Sequence, residues 1–567
     1  MASIRLIGAA ASLILVTGAH ADGPGCPGSI QWDGGAGTTA WTTITNWSSN
    51  TMPGPSDDVC IPDLVAGVEV VHSSGTHAIH SLAGPGGLQV SGGTLSFAVD
   101  SPGLGQLTLS GGTLSCAGDL PVTNAFSWSG GTMTGSGTTS VPGGSLSGGT
   151  KALTGGRALQ TSGTATWTGN GLLRLDGGAA VENGGVWDAQ GNASVTRLDA
   201  ASEFHNLPGA TFKKTAGGGT TAVSVPLENE GTVSVQNGTL SLAGGSFTTG
   251  ALQGTAGTTL QFDGGDHTVA TGASLAAPTV IVASGSLTLD GSYSADASSF
   301  SGGAVTFHPA ATLVRLGTLV VAGGAVVDLS SGEAIASPHL SLFAGRLCGT
   351  DNLTTAIDWT GGEMTGAGIT SGPLYATGAG DKDLTGGRLL RMSGGTWDEG
   401  RIRLGGGAAI ENSATFKWSF ATYCIPRQLI LEDLGGAGGF RNLAGGSMRV
   451  ECGDKTVRVP FTNDGTVTID YNSTLSLEAG GSATGRFLGG NSTFTRALRF
   501  GGGSFTLAPS SVVSVDEVVV AAGDVVEDGA YGAATTAVSG GSFTFHPAAT
   551  VSFIGGVEIS GAGTLIL

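Results

Sequence analysis

The second half of the chain repeats the first, and a repeat of this texture restricts the fold more than any other feature. Trp128–Met133 (WSGGTM) returns as Trp359–Met364 (WTGGEM), 231 positions on (359 − 128). Leu153–Arg157 (LTGGR) returns as Leu384–Arg388 at the same spacing. Phe307–Thr312 (FHPAAT) returns as Phe545–Thr550, 238 positions on (545 − 307). The repeated stretch is rich in glycine: 103 of 567 residues, more than twice the usual ~7%. Glycine costs roughly 1 kcal/mol per helical position relative to alanine, so helices should be scarce. No strict Gly-X-Y period appears, which excludes collagen. The chain is 40% hydrophobic, with Val, Leu, Ile and Phe in regular short runs, so it can bury a core.

Those runs have a period of two. In Gly231–Leu242 (GTVSVQNGTLSL), Val233 and Val235 alternate with polar residues, Asn237-Gly238 turns the chain, and Leu240 and Leu242 alternate again. This is the signature of half-buried strands, and the Gly-Gly, Asn-Gly and Ser-Gly pairs between them supply turn conformations. Two architectures follow. In a parallel β-helix, successive strands wrap into rungs stacked ~4.8 Å apart. In an antiparallel sandwich or meander, Asn237-Gly238 closes a hairpin. The continuous run of very short strands, with no linker every hundred residues or so, favours the β-helix. At roughly 20–25 residues per rung, a unit holds ~10 rungs and is about 50 Å long.

The expected organisation has five parts. Residues 1–21 read as a secretory signal, with Arg5, the apolar stretch Leu6–Val16 and the cleavage site Ala19-His20-Ala21. Residues 22–81, with Trp32, Trp41 and Trp47, read as an N-terminal cap over the first open rung. Units follow at 82–313 and 314–552, and 553–567 read as the start of a truncated third unit. No later apolar run is long enough to span a bilayer, so no transmembrane segment is expected in the mature chain. The net charge of −19 disfavours nucleic acid and suits a soluble surface.

Recurrence also sorts the polar residues, because a structural residue should return whereas a catalytic one need appear only once. Asn206, Asn229, Asn442 and Asn463 recur and look like turn or internal asparagine-ladder positions. His308 and His546 recur and read as structural. Cys116 and Cys348 occupy equivalent places and are expected to be separate buried thiols. The candidate disulfides are Cys26–Cys60, stapling the cap, and Cys424–Cys452, found only in the second unit, where the chain is seven residues longer (29 − 22). Trp128/Trp359 and Trp167/Trp397 read as packing residues, with exposed sugar-stacking platforms the alternative. His72, His77 and His80 could hold a metal, but their spacing is not a recognised ligand pattern, and exposed strand and turn residues are the plainer reading. Asp57-Asp58 lies in a Pro/Gly turn. Asp263, Asp266 and His267 belong to one unit only and are the first enzymatic candidates. Nucleophile-elbow, phosphate-loop and zinc-protease motifs and calcium nonapeptides are absent, so no cofactor is expected.

The Gly-Gly-Thr-Leu-Ser segments at 92–96 and 111–115, Asn237–Leu242, Gly177–Val181 with Phe204–Asn206, and Gly406–Ile410 with Phe440–Asn442 resemble bacterial secreted β-solenoids of the autotransporter-passenger and adhesin-like kind. The resemblance implies a right-handed parallel β-helix, exported to the cell surface, often for adhesion to glycans or surface proteins. The function expected is a non-catalytic structural or adhesin-like solenoid. The alternative is a polysaccharide-binding or polysaccharide-degrading protein on the same fold.

Overall fold

In the computed structural model the strands Thr232–Val235 and Thr239–Leu242 do not pair with each other. The first lies parallel between Thr211–Lys214 and Ala251–Gly254, and the second lies parallel to Thr220–Val223. Asn237-Gly238 is therefore the corner of a coil, not a hairpin. Gly238 sits at φ 64°, and a Cβ there would lie 2.5 Å from the carbonyl oxygen of Gly219, one turn earlier. Corners stack backbone on backbone, which is why glycine is so abundant.

The structure describes residues 29–63, 68–419, 429–470, 472–489 and 496–567. They contain no α-helix, only a single 3-10 turn at Ile44–Asn46. Among the described residues no helix is long and apolar enough to cross a membrane. The named strands pair in parallel with strands of neighbouring coils, giving the expected β-solenoid. The chain divides into two compact units, Met1–Leu260 and Gln261–Leu567. That division falls inside the first sequence repeat.

From Thr138 to Leu242 in the first unit each coil has three strands, one per face. The first face stacks Ala158–Thr161, Ala180–Asn183, Glu203–Asn206 and Leu227–Asn229. The second stacks Thr164–Thr168, Val186–Gln190 and Thr211–Lys214, and the third stacks Leu172–Leu175, Ser194–Arg197 and Thr220–Val223. Ala158 pairs with Ala180 and Ala180 with Glu203, so these coils take 22 and 23 residues. The second unit has the same plan. Its first face stacks Ala409–Asn412, Gly439–Asn442 and Phe461–Asn463, with a 30-residue coil between Ala409 and Gly439 where the sequence is longer. Elsewhere one long strand serves two faces, as in Ser274–Leu289 and Val512–Val520.

Alternation decides the interior. Strands such as Val305-containing Ala304–Phe307 bury every second residue. All nine tryptophans face inward. In the first unit Trp167, Trp187, Phe204 and Phe212 form a run of edge-to-face contacts with ring centroids 6.1, 5.3 and 5.4 Å apart. Near the start, Trp41 and Trp47 meet edge to face at 4.8 Å, and Ile30–Gln31 pairs with Asp58–Cys60, which pairs with Ser81–Val90. The strands Thr550–Phe553 and Gly556–Ile559 are exposed along their whole length.

Candidate functional site

Each corner of the coil presents backbone carbonyls and amides that the strands cannot pair, and each corner has its own side-chain solution. Between the first and second faces stands a column of amides. Asn183 donates to Asn206 Oδ1 and Asn206 to Asn229 Oδ1, both at 2.8 Å, while each also donates to a backbone carbonyl, Thr211 or Thr232, at 3.1 Å. The second unit repeats this with Asn412, Asn442 and Asn463. The recurring asparagines are thus an internal ladder, one of the two readings the sequence allowed.

Between the second and third faces the device is a buried lysine. The Lys151 ammonium donates to the carbonyls of Ser147 and Gly149, and Lys382, 231 positions on, donates to those of Gly378, Gly380 and Glu399. Lys214 and Lys455 cap other carbonyls at this corner. Burial pulls Lys382 and Lys455 down to about 8. Between the third and first faces the device is arginine. Arg157 donates to Thr139 Oγ1 and to the Cys116 and Gly118 carbonyls; Arg388 donates to Thr370 Oγ1 and to the Gly349 and Thr365 carbonyls. Recurrence of Leu-Thr-Gly-Gly-Arg was the available signal for this role.

The sequence candidates disperse into similar structural duties. His72 is fully buried, not exposed as expected, because its strand alternation points it inward beneath Trp41. Its Nδ1 meets the Gly92 carbonyl and its Nε2 meets His77 Nδ1, each at 2.9 Å, and burial lowers its pKa. His80 instead pairs with Asp58 at 2.8 Å, so the three imidazoles do not converge. His267 is buried against Phe262 with Nε2 on the Gly264 carbonyl, Asp266 accepts from Ser286 and Asp263 from Gln261. Burial lowers the pKa of His267, although Asp266 and Asp263 both act on it electrostatically in the opposite direction. His308 and His546 make the same contact, to Asp290 at 2.9 Å and to Asp528 at 2.8 Å. Trp128, Trp167, Trp359 and Trp397 are all buried.

Cys116 is a buried free thiol, pushed up to about 11 by desolvation. Cys348 is also free but only half-buried: Leu347 pairs with Met364 as Leu114 pairs with Met133, so Cys348 takes the outward place of Ser115 and is not equivalent to Cys116. Of the candidate disulfide positions, Cys60 is buried and Cys452 stands at φ 56°, while Cys26 and Cys424 lie outside the described residues.

Two features escaped the sequence reading. Tyr293 and Tyr531, 238 positions apart, are buried and bond Ser298 and Thr536 at 2.7 and 2.8 Å. Glu203, His205 and Glu228 bring an imidazole and two carboxylates together on the outer surface of the first unit, with one ligand atom from each lying within 4.8 Å of the others. Their juxtaposition depends on which strands stack, so chain spacing alone carried no signal for it. Comparison with protein-family models, with curated proteins and with solved structures finds no match.

Proposed function

We propose that this protein is a non-catalytic structural β-solenoid, secreted or displayed at a cell surface in the manner of autotransporter passengers and adhesins, whose outward strand rows meet glycans or surface proteins. One observation carries the reading: the conspicuous residues recur in pairs and are spent on the coil itself. The recurring arginines, lysines and asparagines satisfy the protein's own corners, and the tryptophans pack its interior. The outer rows of the second unit carry ion pairs between successive coils, such as Arg403–Asp383 at 2.6 Å and Arg449–Asp470 at 2.6 Å. Such a surface suits recognition by shape and charge.

A polysaccharide-binding or polysaccharide-degrading role is the second reading, favoured by the outward aromatic rings of Phe247, Phe343 and Tyr375. Purified protein on a glycan array, together with an absorbance assay for unsaturated products on acidic polysaccharides, separates the two. Binding without turnover supports the first reading; sustained turnover overturns it. Export belongs to the same proposal and predicts a mature N-terminus at Asp22. Disulfides Cys26–Cys60 and Cys424–Cys452 accompany it, and non-reducing peptide mapping tests them.

A further inference from the structure

We propose that Glu203, His205 and Glu228 form a binding site for one divalent transition-metal ion of the zinc class. The three side chains are placed by strands rather than by loops. Glu203 and His205 are two apart on Glu203–Asn206, so both point outward, and the inward Phe204 and Asn206 anchor that strand in the core. Glu228 lies in register with His205 on the next coil. His205 Nε2 is 3.1 Å from Glu203 Oε1 and 3.6 Å from Glu228 Oε2.

These separations match what a metal requires. Ligands ~2.1 Å from a tetrahedral ion lie ~3.4 Å from one another. Nε2 is also shielded from solvent and has no hydrogen-bond partner, although carboxylate oxygens stand on two sides of it. The nitrogen thus lies between two carboxylate oxygens, an ion pair when the imidazole is protonated and a three-donor set when it is neutral. An imidazole with two carboxylates favours zinc and its neighbours over calcium and magnesium, which take oxygen alone. Glu228 is exposed, so the remaining coordination positions face solvent.

The second repeat supplies an internal contrast. Where the first has Glu203, His205 and Glu228, the second has Gly439, Arg441 and, in register with that arginine, Thr462. There Arg441 closes an ordinary ion pair with Asp464 at 2.9 Å. Both repeats use this row for contact between coils, but the arrangement in the first suits an ion held between the side chains.

The test is zinc titration of the full, tag-free chain by calorimetry at neutral pH, with cobalt absorption as a second readout. One equivalent of zinc and a nitrogen/oxygen-ligand cobalt spectrum are expected. His205→Arg, which copies the residue of the second repeat, and Glu228→Gln should each abolish that equivalent while the circular dichroism spectrum is unchanged. His80→Gln should keep it. Absence of stoichiometric uptake by the parent chain at millimolar zinc, or uptake that survives both substitutions, overturns the assignment.

Discussion

Glu527 occupies, in the second unit, a strand-end position in line with the asparagine column, and it accepts the Gly529 amide at 2.7 Å much as Asn183 accepts that of Gly185. It is fully buried, and desolvation raises it from 4.5 to about 7. The folded state therefore holds a proton that the unfolded state gives up at lower pH. Its contribution to stability is complete below pH ~4.5 and is lost as pH rises to about 7, a change on the order of 3 kcal/mol. Glu527→Gln keeps the shape without the titration. The melting-temperature difference between parent and variant should grow in the variant's favour from pH 4.5 to 7 and then level off; a difference constant with pH contradicts this. The thiols give a second residue-scale expectation. Cys348 is half-buried whereas Cys116 is fully buried and pushed up to about 11, so alkylation of the native protein followed by mass spectrometry should label Cys348 first.

At the scale of elements, a strand of four residues contributes little alone, and the corners hold the coils in register. Asn206 makes the point: it accepts from Asn183 and donates to Asn229 and to the Thr232 carbonyl. Asn206→Ala takes a partner from buried groups on the two flanking coils, at a cost on the order of 3 kcal/mol. Amide exchange in Ala180–Asn183, Glu203–Asn206 and Leu227–Asn229 should accelerate together, whereas a loss confined to the mutated strand would argue against a continuous ladder. Alternation identified such strands from sequence, and recurrence marked their asparagines for a turn or ladder. The lysine and arginine corners were not legible as such. A buried cation is rare, and nothing along the chain says that the carbonyls of Cys116 and Gly118, about forty residues before Arg157, will surround it. His72 shows the same gap, since its burial depends on the parity of one short strand.

For the molecule as a whole, each unit is a series of coils that touch mainly their neighbours. Stability in such chains is a sum of local and nearest-neighbour terms, and opening is graded rather than all-or-none. Thr550–Phe553 and Gly556–Ile559, exposed throughout, should exchange amide protons fastest among the described strands, and Glu203–Asn206, covered on both sides, should be among the slowest. Uniform exchange along the chain would be inconsistent with this picture.

Period-two alternation and glycine-bounded turns were enough to establish an all-β chain of short strands, because side-chain parity and backbone permissiveness are local properties. The same repeats distinguished residues of structural duty from residues that occur once. The stacking of coils decided the rest. It made Asn237-Gly238 a corner, the favoured of the two readings, turned His72 inward, and set His205 between two glutamates. Those outcomes depend on coil length, which varies from 17 residues between Leu353 and Thr370 to 32 between Thr415 and Ser447. A change of one residue in that length alters which side chains meet across a face, and short-range patterns do not encode it.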